Sequence, residues 1–132
     1  MPVVVDGSPL TVDDVIAVAY RRKKAEPGDN LDERMEPARL LVERVVANDE
    51  TVYGITTGLG ALSNTRISPE QASDLQYDLL RSHAAGVGAL LEPELVRAML
   101  LCRARTLAQG HSGVRADVVR YLLTLLDEDI LP

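Results

Sequence analysis

The sequence predicts an all-α fold, and three observations carry that expectation. From Thr11 onward, apolar residues recur at three- and four-residue spacing in most segments. Helix-start and helix-stop residues bracket those segments. The 132 residues include neither Phe nor Trp and only four Tyr, so the interior must be built from Leu, Val, Ile and Ala. Leu-rich helices fill space in that way, often finishing the job against another chain. The length corresponds to a single domain, 1–132, able to bury roughly two-thirds of its unfolded surface.

Residues 1–10 alternate Val with small polar residues between Pro2 and Pro9 and read as an extended lead-in. Residues 11–50 read as helices. Thr11 is placed as an N-cap with Asp14 three positions on, and Arg21-Arg22-Lys23-Lys24 lies where a basic helix end favours the dipole. This predicts a helix over 11–25 with Val12, Val15, Ile16 and Ala19 inward. Glu26-Pro-Gly-Asp-Asn30 is a turn by composition. A second helix is expected from Pro37 or a turn earlier to Asn48, with Leu41, Val42, Val45 and Val46 as its stripe. Residues 51–67 form a Gly-rich loop, and residues 68–132 return to helices. Ser68 with Pro69 and Gln71 opens one that stops at Gly86-Val-Gly88. Pro93 opens the next, which ends at Gly110, and the last follows His111-Ser-Gly113 and ends near Asp127.

Composition excludes several functions. One Cys and two His supply neither an internal disulfide nor the four ligands of a structural zinc site. Acidic residues outnumber basic ones in both parts of the chain, 11 to 7 over 1–50 and 9 to 7 over 51–132, so no basic stripe offers nucleic acid a landing surface. The basic quartet, with Asp13, Asp14, Glu26 and Asp29 nearby, reads as a solvated helix end. The longest uncharged stretch, 51–65, is rich in Gly and Thr and is no membrane span. The N-terminus lacks the basic start and apolar run of a secretory signal, which makes a cytoplasmic protein the expectation.

The loop is the one segment that is not generic. Long loops in small helical domains are usually functional or disordered, and Val52, Ile55, Leu59 and Leu62 favour order. The spacing Gly54-x-x-x-Gly58-x-Gly60 matches neither a P-loop nor a dinucleotide fingerprint. Tyr53 is either a packed loop anchor or a base, since a phenol acts as base near neutrality only where positive charge or hydrogen bonds stabilise the phenolate. His83, four residues after Leu79, either caps its helix end or projects into a cavity walled by the Tyr53 loop. His111 reads as a loop residue and Cys102 as a small core residue. Arg105, Arg115 and Arg120 are candidate carboxylate clamps.

Three blocks then match a family. Tyr53-Gly-Ile-Thr-Thr-Gly-Leu-Gly60 resembles the Tyr-Gly-x-x-Thr-Gly-Phe-Gly motif of the aromatic amino acid ammonia-lyases and aminomutases. Leu75-Gln76 with Leu79-Leu80-Arg81-Ser82-His83-Ala-Ala-Gly-Val-Gly88 is similar to the next block. Gln109-Gly-His-Ser-Gly-Val-Arg115 is similar to the third, Gly-aromatic-Ser-Gly-x-Arg. The resemblance implies the N-terminal helical region of a fumarase/aspartase-like lyase fold, with the Gly-rich loop in the active site. It implies that Tyr53 is the catalytic base for the β-proton, that Gly60 lines the substrate pocket, and that Ser82 and His83 contact the substrate side chain. Ser-His is the histidine ammonia-lyase form of that pair. Three positions depart from the pattern: Thr56 stands for a frequent Asn, Leu59 for Phe, and His111 for an aromatic residue.

The family's electrophile, the methylidene-imidazolone group (MIO), forms from an Ala-Ser-Gly that these residues do not contain; Ser112-Gly113 follows His111 and belongs to the third block. The resemblance therefore implies a hetero-oligomer with a larger lyase chain that carries the MIO and the central helical bundle, acting on L-histidine or a related aromatic amino acid. Two alternatives stand beside it: a 2,3-aminomutase using the same residues, and a non-catalytic binding or regulatory module.

Overall fold

A computed structural model describes residues 1–58, 60 and 69–132, with side chains described outside 69–73. Among the described residues it contains five helices and two short strands: β1 (Val3–Val5), α1 (Val12–Ala19), β2 (Ala25–Pro27), α2 (Leu31–Ala47), α3 (Pro69–His83), α4 (Pro93–Leu107) and α5 (Ala116–Asp127). The helical class is as the sequence predicts. The chain forms two compact units, one of residues 1–41 with 91–132 and one of residues 42–90.

In the first unit α4 packs against α1 and α5, and β2 lies against α5. Its core is aliphatic throughout. Val5, Val18, Leu31, Leu101 and Val119 are fully enclosed, and Met35, Leu123 and Leu126 close around them. Each such side chain contributes roughly 1.5–3 kcal/mol by leaving water.

Two elements differ from expectation. The helix predicted over 11–25 ends at Ala19, and Ala25–Pro27 becomes a strand parallel to β1, with Val3 opposite Ala25 and Val5 opposite Pro27. Parallel strands need a crossover, and α1 provides it. Val3 N–H donates to the Lys24 carbonyl (2.9 Å) and Gly28 N–H to the Val5 carbonyl (3.0 Å). The basic quartet is thus the connection out of α1 rather than its last turn. The start of α1 is as predicted: the Asp14 N–H donates to the Thr11 hydroxyl oxygen (3.1 Å), and the Thr11 N–H donates to the Asp14 carboxylate (3.0 Å).

The second helix starts at Leu31, six residues before Pro37, which lies inside α2 and is exposed. A proline there removes one helical donor. Leu31 and Met35, one turn apart and both buried, set the first turn by packing and outweigh that loss. Gly110, just past α4, has φ +80, and a Cβ on it would lie 2.3 Å from the Arg34 carbonyl oxygen of α2. This turn therefore needs glycine for both conformation and space.

A charged side chain holds the unit's helix ends. Arg97 on α4 is 4% exposed. Its Nε and Nη2 donate to the Val18 carbonyl of α1 (3.2 and 3.1 Å). Its Nη1 donates to the Leu126 carbonyl of α5 and to Asp129 Oδ1 (both 2.8 Å). Those carbonyls belong to last helical turns, which lack backbone donors of their own. Arg22 and Asp129, which follow α1 and α5 with φ +54 and +55, are ion-paired with each other.

Replacing Arg97 with Met keeps length and burial but leaves both carbonyls without a donor. The expected loss is about 3 kcal/mol in chemical denaturation, and a variant within about 0.5 kcal/mol of the parent would show the network to be dispensable. A second expectation concerns acid. Hydrogen bonds from Thr11 hold the Asp14 carboxyl below its ordinary value, and the hydrogen bond from Arg120 does the same for Asp32. Groups whose pKa is lower in the folded state stabilise above the unfolded value, about 3.9, and that contribution is lost as pH falls through the folded value. Stability should therefore drop below about pH 4. In Thr11→Ala, about 1 kcal/mol less stable from loss of the cap, the drop should be shallower; equal slopes in parallel acid titrations would exclude the Asp14 contribution.

Candidate functional site

The four sequence-predicted site residues all fall within the second compact unit, residues 42–90. The segment leading to Tyr53 is fixed by the end of α2. Glu50 N–H donates to the Val45 carbonyl (3.1 Å) and Asp49 N–H to the Val46 carbonyl (3.2 Å), with Asp49 in the left-handed region at φ +58. Two threonines then close the loop on itself. Thr56 Oγ1 accepts from the Val52 N–H (2.8 Å) and donates to the Glu50 carbonyl (2.6 Å). Thr57, 5% exposed, accepts from the Gly54 N–H (3.2 Å) and donates to the Gly58 carbonyl (3.0 Å). The Ile55 and Thr56 N–H groups both reach the Val52 carbonyl (3.1 and 3.0 Å).

Tyr53 sits at the apex of this turn, 63% exposed. Among the described residues no side chain hydrogen-bonds its hydroxyl. The anchoring that one sequence reading assigned to Tyr53 is done by Thr56 and Thr57. Gly60 is exposed with φ +57, and a Cβ there would meet no described atom within 4 Å, so its requirement for glycine is conformational. Leu59, Leu62 and the Ser68 cap lie outside the described residues, as does the side chain of Gln71.

Ser82 and His83 are the last two residues of α3. Both side chains turn back on one carbonyl. Ser82 Oγ donates to the Leu79 carbonyl (2.9 Å), His83 Nδ1 lies 2.8 Å from the same oxygen, and Ser82 Oγ is 3.1 Å from Nδ1. The His83 ring thus bonds back onto its own helix one turn earlier, and it remains exposed. Ser82 and His83 are brought together; no hydrogen bond among the described residues joins either to Tyr53.

The remaining candidates have other duties. Arg105 Nε donates to the Ser8 carbonyl (2.9 Å), tying α4 to the lead-in. Arg120 pairs with Asp32 and, at 3.4 Å, with Asp117, so the carboxylates it clamps are the chain's own. Arg115 and His111 are exposed, and Cys102 is exposed rather than part of the core. An apolar cavity of about 560 Å³ runs beside Cys102 along Val96, Met99 and Leu100. Neither it nor three further cavities among the described residues of the first unit is lined by Tyr53, Ser82 or His83. The candidate groups are thus a phenol, a hydroxyl and an imidazole, each on an exposed residue. Arg97, a structural residue that the helix-end reading missed, had a signal: it shares one helical face with Leu101, Ala104 and Ala108, all buried.

The family model for aromatic amino acid lyase matches residues 10–132. Histidine ammonia-lyase of Staphylococcus aureus (strain bovine RF122 / ET3-1) is 42% identical over 132 residues, all of this chain and 26% of that protein. Tyrosine aminomutase from Streptomyces globisporus superposes with a TM-score of 0.92 at 36% identity, over 100% of this chain and 25% of the other. Histidine ammonia-lyase from Trypanosoma cruzi superposes with a TM-score of 0.85 at 39% identity, over 96% of this chain and 24% of the other. The chain spans about a quarter of the length of the relatives it matches. With its helical fold and all three motif blocks inside the matched region, the chain belongs to the aromatic amino acid lyase family.

Proposed function

We propose that these residues supply the base and the side-chain pocket of a histidine ammonia-lyase-type site that releases ammonia from L-histidine or a related aromatic amino acid in the cytoplasm. The observation that carries the reading is the Tyr53 turn: the loop spends its own hydroxyls on holding its shape and leaves the phenol projecting and free for substrate. In the proposed reaction Tyr53 Oη takes the β-proton, the electrons of that C–H bond form the Cα–Cβ double bond, and the amino group departs with the electrons of the C–N bond. Gly60 admits the substrate close to the backbone, and Ser82 with His83 meets its side chain.

The family depends on MIO in general. The chain's only Ser-Gly pair follows His111, and Gly113 is buried with φ +68 in the turn before α5, so residues 1–132 do not fit that group. MIO would activate the amino group for departure. Without activation, proton removal has no prepared leaving group. We assign that contribution to polypeptide beyond these residues, which the fourfold greater length of the relatives supports. A separate larger lyase chain in a hetero-oligomer is the arrangement proposed. Similarity to a tyrosine aminomutase favours a second reading, in which the amino group returns to the β-carbon.

Co-production of residues 1–132 with a chain carrying Ala-Ser-Gly and the rest of the relatives' length tests the proposal. Expected are copurification and an α,β-unsaturated acid with free ammonia from L-histidine; a β-amino acid would select the aminomutase, and no assembly with no product would leave a non-catalytic module. Tyr53→Phe should assemble and lose roughly 100-fold or more in turnover; an unchanged rate removes Tyr53 from the role of base.

A further inference from the structure

We propose that Ser82 is a positioning residue that locks His83 in its Nδ1–H tautomer, so that neutral His83 presents Nε2 as a hydrogen-bond acceptor. A carbonyl oxygen offers lone pairs only, so a ring nitrogen 2.8 Å from the Leu79 carbonyl must carry a proton. The single Ser82 hydroxyl proton is spent on the same carbonyl at 2.9 Å, which turns an oxygen lone pair toward Nδ1 at 3.1 Å. Nδ1–H therefore finds two acceptors and no competing donor. In a neutral imidazole the other nitrogen is then unprotonated. The helix supplies the register: residues 79 and 83 lie one turn apart on one face, and Ser82 flanks the pair.

The consequence for substrate rests on the lyase reading above. An acceptor at Nε2 pairs with a side chain that brings an N–H or O–H, such as the ring N–H of histidine. A phenyl group brings no donor and leaves Nε2 unpaired in a closed site, which is costly. Ser82 in this account also acts on substrate choice through His83, by setting which ring nitrogen faces the substrate.

The test reads the tautomer directly. Histidine-labelled chain, residues 1–132, is examined by ¹⁵N-correlated NMR at about pH 9, where a histidine ring is neutral, with His111→Asn to assign the two rings. Expected is the Nδ1–H pattern for His83, a larger Nε2–H fraction in Ser82→Ala, where only the Leu79 carbonyl remains as acceptor, and the parent pattern in Ser82→Thr, which keeps the hydroxyl. Predominance of Nε2–H in the parent chain overturns the proposal, and so does a Ser82→Ala spectrum that matches the parent. Failure of the lyase reading is visible separately, as an assembled protein that eliminates nothing while His83 keeps its Nδ1–H signal.

Discussion

A buried guanidinium organises the first unit. Arg97 brings a full charge into an aliphatic interior, an arrangement that stands only when the donors find acceptors. The acceptors are the last-turn carbonyls of two helices, the groups a helix cannot satisfy by itself. One side chain on α4 therefore meets a requirement of α1, of α5 and of its own charge at once. Arg22 and Asp129 adopt left-handed backbone within three residues of those helix ends, and Asp129 pairs with both Arg22 and Arg97. With no aromatic ring in this core, directional bonding contributes what shape complementarity between Leu and Val leaves undetermined.

Local signals in the sequence were read well wherever a few adjacent residues decide the structure. Thr11 with Asp14 makes the capping box that its spacing announces, and Pro93 opens its helix at the first position. Signals that depend on distant partners were not readable. Ala25-Glu26-Pro27 carries no preference for strand and becomes one only because Val3–Val5 lies beside it. Pro37 looks like a helix start, but burial of Leu31 and Met35 decides where α2 begins. Arg97 interrupts an apolar face, and a charge in such a place points to a satisfied buried network rather than to an interrupted stripe.

The candidate site divides differently. Its residues were identified by motif, because periodicity says nothing about an irregular loop, and the motif says which side chains matter without saying how they are held. The structure adds the holding. Thr56 and Thr57 use local hydroxyl-to-backbone bonds in place of secondary structure. Leu79 offers one carbonyl as an anchor for both Ser82 and His83. Both arrangements are made by bonds within the chain, which order these groups before a substrate arrives. Charge stabilisation at the Tyr53 oxygen is the part that the described residues do not provide.

The first unit is discontinuous along the chain, since residues 42–90 separate its two parts. The Val18 carbonyl waits for a donor 79 positions later in the sequence, and the Leu126 carbonyl lies 29 positions beyond Arg97. During synthesis α1 thus emerges well before anything that can seal its end, and the intervening loop and α3 are made first. Such separated contacts impose a loop-closure cost before they return any stability, although each doubling of the loop adds only about 0.6 kcal/mol. Topology of this kind slows folding and makes completion of the N-terminal strand and helix contingent on the arrival of α4 and α5.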